Sequence, residues 1–181
     1  MSIRVTRLAV LAWGLALAVI VLDQLTKAWV VGSAGPGGIA QIPDGHLFGE
    51  VVPGLLRFTM VRNTGVSFGL FGGGAGRWVF SVFPFVVAAV MSWWALRVDR
   101  RLQVVAIGLI IGGAIGNAID RIRFGYVVDF IDVSGSGVFP WVFNVADCGV
   151  NIGVALLLLD ALWPEWKRRR GQAGSQGAAA T

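Results

Sequence analysis

Four long apolar segments constrain the fold of this chain more than any other feature of its sequence. They run from about residue 8 to 31, 78 to 96, 102 to 119 and 145 to 163. A helix needs about 20 apolar residues to cross the hydrocarbon core of a bilayer. Pro84 lies inside the second segment, which membrane helices tolerate. The pattern therefore predicts four transmembrane helices.

The composition also favours a membrane protein over a soluble one. Of the 181 residues, 56% are hydrophobic and 14% are charged, whereas ordinary soluble domains carry about 25% charged residues. A soluble domain of this length leaves about a third of its unfolded surface exposed, so it cannot hide this much apolar area. A cleaved signal peptide at the N-terminus is less favoured, because Asp23, Gln24 and Lys27 interrupt the region of cleavage.

Basic residues set the expected orientation. Most of the 15 Lys and Arg residues lie at the N-terminus, in residues 97–101 and in residues 167–170. Positive residues stay on the cytoplasmic side, so both termini are expected inside and the loops 32–77 and 120–144 outside. A net charge of +5 can indicate nucleic-acid binding, but bases that flank apolar runs favour membrane topology. Residues 167–181 are expected to form a basic and then disordered cytoplasmic tail.

Charged and amide side chains collect at the predicted outer ends of the spans. Polar groups at membrane depth are costly and by default mark function. Each group also has a structural interpretation, as a helix-end charge, an ion pair between residues four apart, or a capping box at Asn144 and Asp147. Their concentration at one depth favours a functional site. The charged residues and the amide concerned are Asp23, Lys27, Asn117, Asp120, Arg121, Asp129 and Asp147.

Among these residues, a pair of carboxylates is the best candidate for a catalytic group. His46 and Cys148 are the only residues of their types and are too few for a structural zinc site. We expect neither a metal nor a cofactor. Asp129 and Asp147 flank one predicted hairpin and can therefore meet. Two close carboxylates share a proton, so one can activate water while the other protonates a carbonyl.

Two other functions use the same residue types. A small proton- or ion-coupled membrane transporter would line a polar path with these carboxylates, although such paths need groups near the midplane of the membrane. A noncatalytic assembly factor would use Gly112, Gly113 and Gly116 for close helix packing. We expect these glycines to be packing positions in either case.

The outer loops contain strand-like segments. Residues 55–61 read LLRFTMV, and residues 126–131 alternate in polarity. A Ser-Gly-Ser-Gly turn and the sequence FPWVF follow. The pattern predicts a hairpin on the outer face of the membrane.

Five blocks of sequence, in order and with their spacing, closely resemble those of the lipoprotein signal peptidases, the type II signal peptidases of bacteria. The resemblance extends from about residue 23 to the fourth span. The blocks are DQLTK at 23–27, NTG at 63–65, GNAIDR at 116–121, GYVVDFID at 125–132 and FNVAD at 143–147.

The resemblance implies one peptidase domain over residues 1–166. Its fold would be a membrane all-α core of four transmembrane helices, N-in and C-in, with a small extracytoplasmic β-cradle and a short periplasmic helix. It would lie in the bacterial inner membrane, among its lipids, with its active site at the extracytoplasmic face. The implied activity is that of an aspartic endopeptidase without metal, which removes the signal peptide of diacylglyceryl-modified prolipoproteins by cutting before the lipidated Cys.

The resemblance also assigns roles to single residues. The catalytic aspartates of the family match Asp129 and Asp147. The family reads Ala-Ala where this chain has Val66 and Ser67, which is expected to alter substrate fit. The residues that match binding or supporting positions are Asp23, Lys27, Asn63, Gly65, Asn117, Asp120, Arg121 and Asn144.

Overall fold

The computed structural model describes residues 5–32, 39–65, 75–137 and 139–178, with side chains left undescribed at 75–81 and 164–178. This part of the chain forms four α-helices and a four-stranded sheet. In chain order the elements are α1 (Arg7–Gly32), β1 (Leu47–Val52), β2 (Leu56–Asn63), α2 (Ala75–Ala95), α3 (Arg101–Phe124), β3 (Val127–Asp132), β4 (Val142–Phe143) and α4 (Val145–Ala178).

Three of these helices are long and apolar enough to cross a membrane. They are Arg7–Gly32, Arg101–Phe124 and the Val145–Trp163 part of α4. The predicted second span is helical as α2 and contains Pro84, and its apolar part with described side chains is Val82–Ala95. A core of membrane helices is therefore confirmed, whereas the crossing of all four helices stays a prediction.

Helix α3 lies at the centre of the bundle and packs against α1, α2 and α4. Its glycines allow the close approach. A Cβ atom on Gly112 would lie 2.6 Å from Cβ of Val19 in α1, and one on Gly113 would overlap the carbonyl oxygen of Ala146 in α4. The predicted packing role of these glycines is confirmed.

Substitution of Gly113 by alanine is expected to destabilise the protein by about 1–3 kcal/mol, because the new methyl group forces α3 away from α4. Thermal unfolding in detergent measures the effect. The matched control is Gly14→Ala in α1, where a Cβ atom meets nothing within 4 Å. Equal unfolding temperatures for Gly113→Ala and wild type would contradict this account of the packing.

The sheet is antiparallel in the order β1-β2-β3-β4. Strands β2 and β3 confirm the two strand-like segments, and β4 lies within FPWVF. The register pairs Val61 with Asp129 and Asn63 with Val127, so Asn63 lies beside the strand that carries Asp129. The sequence did not predict β1, because Gly49 interrupts its alternation.

Two helix ends differ from the predicted bounds. Helix α3 continues to Phe124 and ends at Gly125, whose left-handed backbone (φ 82°) lets its N–H bond to the carbonyl of Arg121. Helix α4 continues to Ala178, so residues 167–178 are helical rather than disordered. Extending an existing helix requires no new nucleation, which explains this correction. The described segments between the α-helices contain two short 3-10 helices, Ile39–Gln41 and Ser134–Ser136.

Candidate active site

The C-terminal halves of α1 and α3, the strands β2 and β3 and the start of α4 converge on one network of polar side chains. It includes nearly every residue that the sequence singled out, from five separate elements. Gly65 contributes at its edge, through its backbone N–H. Val66 and Ser67 lie outside the described residues.

Asp129 is held by two amide side chains. Its carboxylate is 1% exposed and accepts hydrogen bonds from Nδ2 of Asn144 at 2.6 Å and from Nδ2 of Asn63 at 3.0 Å. The N–H of Gly65 donates to Oδ1 of Asn63 at 2.9 Å. Because an N–H can donate only to the amide oxygen, this bond turns the Asn63 nitrogen toward Asp129.

Asp147 lies in the first turn of α4, and its two oxygens have different partners. One accepts from Nδ2 of Asn117 at 2.7 Å, and the other accepts from the N–H of Asn144 at 3.2 Å. The N–H of Asp147 donates to Oδ1 of Asn144 at 2.9 Å. The predicted capping box is therefore confirmed. It leaves one oxygen of Asp147 directed to the amide of Asn117 in α3.

Asn144 contacts both aspartates, with its side chain on Asp129 and its backbone on Asp147. Burial, and next the charge of Asp147, raise the pKa of Asp129 to about 7, although the amides of Asn63 and Asn144 lower it. Asp129 therefore holds a proton in acidic solution and begins to lose it near neutral pH. The pair can share one proton between two carboxylates, as a general acid and a general base require.

Asp23, Lys27 and Asp120 form a buried ion triad next to the two aspartates. Nζ of Lys27 is 2.8 Å from Oδ2 of Asp23 and 2.8 Å from Oδ2 of Asp120, and it donates to Oδ1 of Asn117 at 3.2 Å. Lys27 is 4% exposed and both carboxylates are fully buried. Asp120 is thus the partner of a lysine from another helix.

The triad also fixes the backbone next to each aspartate of the pair. Asp23 accepts the N–H of Ala146, the residue before Asp147, at 2.9 Å. Asp120 accepts the N–H of Val128, the residue before Asp129, at 3.0 Å. One lysine therefore holds the two carboxylates that position β3 and α4 relative to each other.

Gln24 belongs to this network, and the sequence reasoning missed it. Its Nε2 donates to Oδ1 of Asp120 at 2.9 Å, to Oδ2 of Asp23 at 3.1 Å and to the carbonyl of Gly116 at 3.3 Å. Its Oε1 accepts from Arg123 at 3.3 Å. The available signal was its place beside Asp23 within the block DQLTK.

A cavity of about 810 Å³ opens at Asp147, between α2, α3, α4 and β4. Its polar end contains Asn63, Asn117, Arg121 and Asp147, and most of its remaining wall is apolar. This volume suits a ligand of the size of a short peptide segment or a lipid. The described residues contain no group of three or more His, Cys, Asp or Glu that could hold a metal ion.

Comparison with known proteins identifies the family of this chain. The family model described as signal peptidase (SPase) II matches residues 15–163. The chain belongs to the signal peptidase II family. A lipoprotein signal peptidase of Caulobacter vibrioides is 46% identical over 166 residues, which cover 91% of this chain and 94% of that protein. One of Synechocystis sp. is 38% identical, with 88% and 92% covered.

A solved structure of a bacterial membrane enzyme is also similar. It has a TM-score of 0.69 and 31% identity, and the match covers 83% of this chain and 92% of that one. Membership of the family makes the chain a membrane aspartic peptidase that processes lipoproteins. The comparisons do not support the alternative of a transporter.

Proposed function

We propose that Asp129 and Asp147 form the catalytic dyad of an endopeptidase that removes signal peptides from diacylglyceryl-modified prolipoproteins. The bond cut is the one before the lipidated Cys. The observation that carries this proposal is the bridge made by Asn144, which contacts both aspartates and links Asp129 to Asp147 at the wall of the cavity. An aspartic peptidase requires two carboxylates close enough to share a proton.

The geometry supports a division of roles within the dyad. Asp147, in the first turn of α4, is the general base because it is the member of the pair that lines the cavity. Asp129 holds the proton and donates it to the oxygen of the scissile carbonyl as water adds to the carbonyl carbon. Collapse of the tetrahedral intermediate breaks the C–N bond. The proton that Asp147 took from water passes to the leaving amine, and one hydroxyl proton of the intermediate returns to Asp129.

Arg121 and the neighbouring amides position the substrate in this scheme. Arg121 and Asn117 line the polar end of the cavity with Asp147. Their N–H groups are donors that suit peptide carbonyls. The apolar wall receives the signal peptide in extended form, and the acyl chains remain among the helices and the surrounding lipid.

The topology that fits this chemistry is four spans in the bacterial inner membrane with both termini inside. The basic residues at 97–101 and 167–170 support it. The sheet and the dyad then lie at the extracytoplasmic face, where exported prolipoproteins arrive. The dyad and its cavity belong to residues 1–166.

A gel-shift assay in detergent tests the proposed function. Purified wild type is expected to shorten a diacylglyceryl-modified prolipoprotein and to leave the matched precursor with Ser in place of the lipidated Cys uncut. As a control, an authentic lipoprotein signal peptidase must cleave the same modified precursor. If the folded protein then leaves that precursor intact, the proposal is overturned.

The pH dependence of the reaction reports on the shared proton. Asp129, with its pKa raised to about 7, holds the proton in acidic solution and loses it as the pH rises through that value. We therefore expect kcat/KM to fall above neutral pH. Asn63→Leu removes a donor that favours the ionised form, so the alkaline limb should move to higher pH. A flat profile well above neutrality, or a limb that moves to lower pH in this variant, would contradict the assignment.

A further inference from the structure

We propose that Asn151 is a substrate-positioning residue, which accepts a hydrogen bond from a backbone N–H of the signal peptide. This inference rests on the proposed function and adds a recognition element within the same cavity. It concerns the position of the peptide and not the chemistry of bond cleavage.

The place of Asn151 in the fold is the first observation. It lies on α4 one turn after Asp147, on the same helix face and about 6 Å further along the axis. It lines the same cavity as Asp147 and Asn117, and it is exposed there. A polar side chain at this depth of a membrane helix is costly unless it has a partner or a function.

The orientation of its amide is the second observation. Nδ2 of Asn151 donates to the backbone carbonyl of Asp147 at 2.9 Å. A carbonyl only accepts, so this bond fixes which end of the amide is the nitrogen. Within the part of the chain whose side chains are described, no donor is bonded to Oδ1 of Asn151. The cavity wall therefore presents a hydrogen-bond acceptor one turn from the dyad.

Oδ1 of Asn151 can bind only a ligand that donates a hydrogen bond. The diacylglyceryl group offers ester and thioether atoms that only accept hydrogen bonds. The peptide backbone supplies N–H donors, and an extended peptide presents them alternately with its carbonyls. Asn117 and Arg121 supply donors for carbonyls at the same end of the cavity, so Asn151 supplies the complementary group. Its ligand is the peptide and not the lipid.

The first test separates binding from chemistry. Asn151→Leu removes the acceptor and is expected to raise KM about tenfold with little change in kcat, because the bond is made equally in the ground state and in the transition state. Asn151→Ser keeps an acceptor oxygen and should recover part of the loss. Equal KM values for Asn151→Leu and wild type, or a fall in kcat alone, would overturn the proposal.

A second test uses prolipoprotein analogues in which one backbone N–H of the lipobox at a time is replaced by an ester oxygen. One analogue should raise KM for wild type about tenfold and leave KM of Asn151→Leu unchanged, since that variant has already lost the bond. If the effect of every analogue on KM is the same in Asn151→Leu as in wild type, the proposal is overturned. Failure of wild type to cleave the parent substrate would instead refute the proposed function.

Discussion

Replacement of either Asp129 or Asp147 by asparagine is expected to abolish cleavage and to leave the protein folded in the membrane. Asparagine has nearly the same shape as aspartate but cannot transfer a proton in this pH range. General acid–base catalysis contributes about 10²–10⁴-fold to a rate, and the two groups act as a unit. We therefore expect each variant to lose at least about 10³-fold in kcat, and the double variant to lose little more.

The matched control is Asp160→Asn. Asp160 lies in α4 at the other end of the helix bundle, where Gln103 and Arg100 donate to it at 2.7 and 3.2 Å. It is an aspartate with amide and arginine partners, but it is remote from the cavity. Full activity is expected in this variant. Retention of activity in Asp129→Asn or Asp147→Asn, measured on folded protein, would show that the dyad does not carry the reaction.

Replacement of Lys27 by methionine is expected to cause the largest loss of stability. The change leaves the fully buried carboxylates of Asp23 and Asp120 without the cation that lies 2.8 Å from each. Breaking a buried pair by removing one partner costs about 3–5 kcal/mol. The change should also disturb the active site, because these carboxylates accept hydrogen bonds from the backbone N–H groups of Ala146 and Val128.

Thermal unfolding in detergent measures this effect, and Arg101→Met at the exposed start of α3 is the control for loss of a positive charge. A further variant tests the cause. Lys27→Met combined with Asp23→Asn and Asp120→Asn removes the uncompensated charges, so it should recover part of the lost stability. Wild-type unfolding temperature for Lys27→Met, or no recovery in the triple variant, would contradict this account of the triad.

The membrane helices and the candidate site could be predicted from local signals. Apolar length marks the spans, and alternation marks β2 and β3. The spacing of Asn144 and Asp147 predicts the capping box that the structure contains. A structural and a functional interpretation of one residue are compatible here, since Asp147 caps α4 with one oxygen and bonds to Asn117 with the other.

Contacts between distant parts of the chain could not be predicted in this way. The pairing of Lys27 with Asp23 follows from their spacing of four residues. The pairing of Lys27 with Asp120 joins α1 to α3, and no local pattern predicts it. Gln24 was not predicted as a site residue, because its partners Gly116 and Asp120 lie on another helix. Strand β1 depends on its pairing with β2, which outweighs the weak strand preference of its glycine.

The mass of the products released by wild type tests the central claim most directly. A diacylglyceryl-modified prolipoprotein is incubated with the protein in detergent, and both fragments are identified by mass spectrometry. Two fragments are predicted, an intact signal peptide with a free carboxyl terminus and a mature chain that begins with the diacylglyceryl Cys. An uncut precursor, or cleavage at any other bond, would contradict the claim that this dyad is a lipoprotein signal peptidase centre.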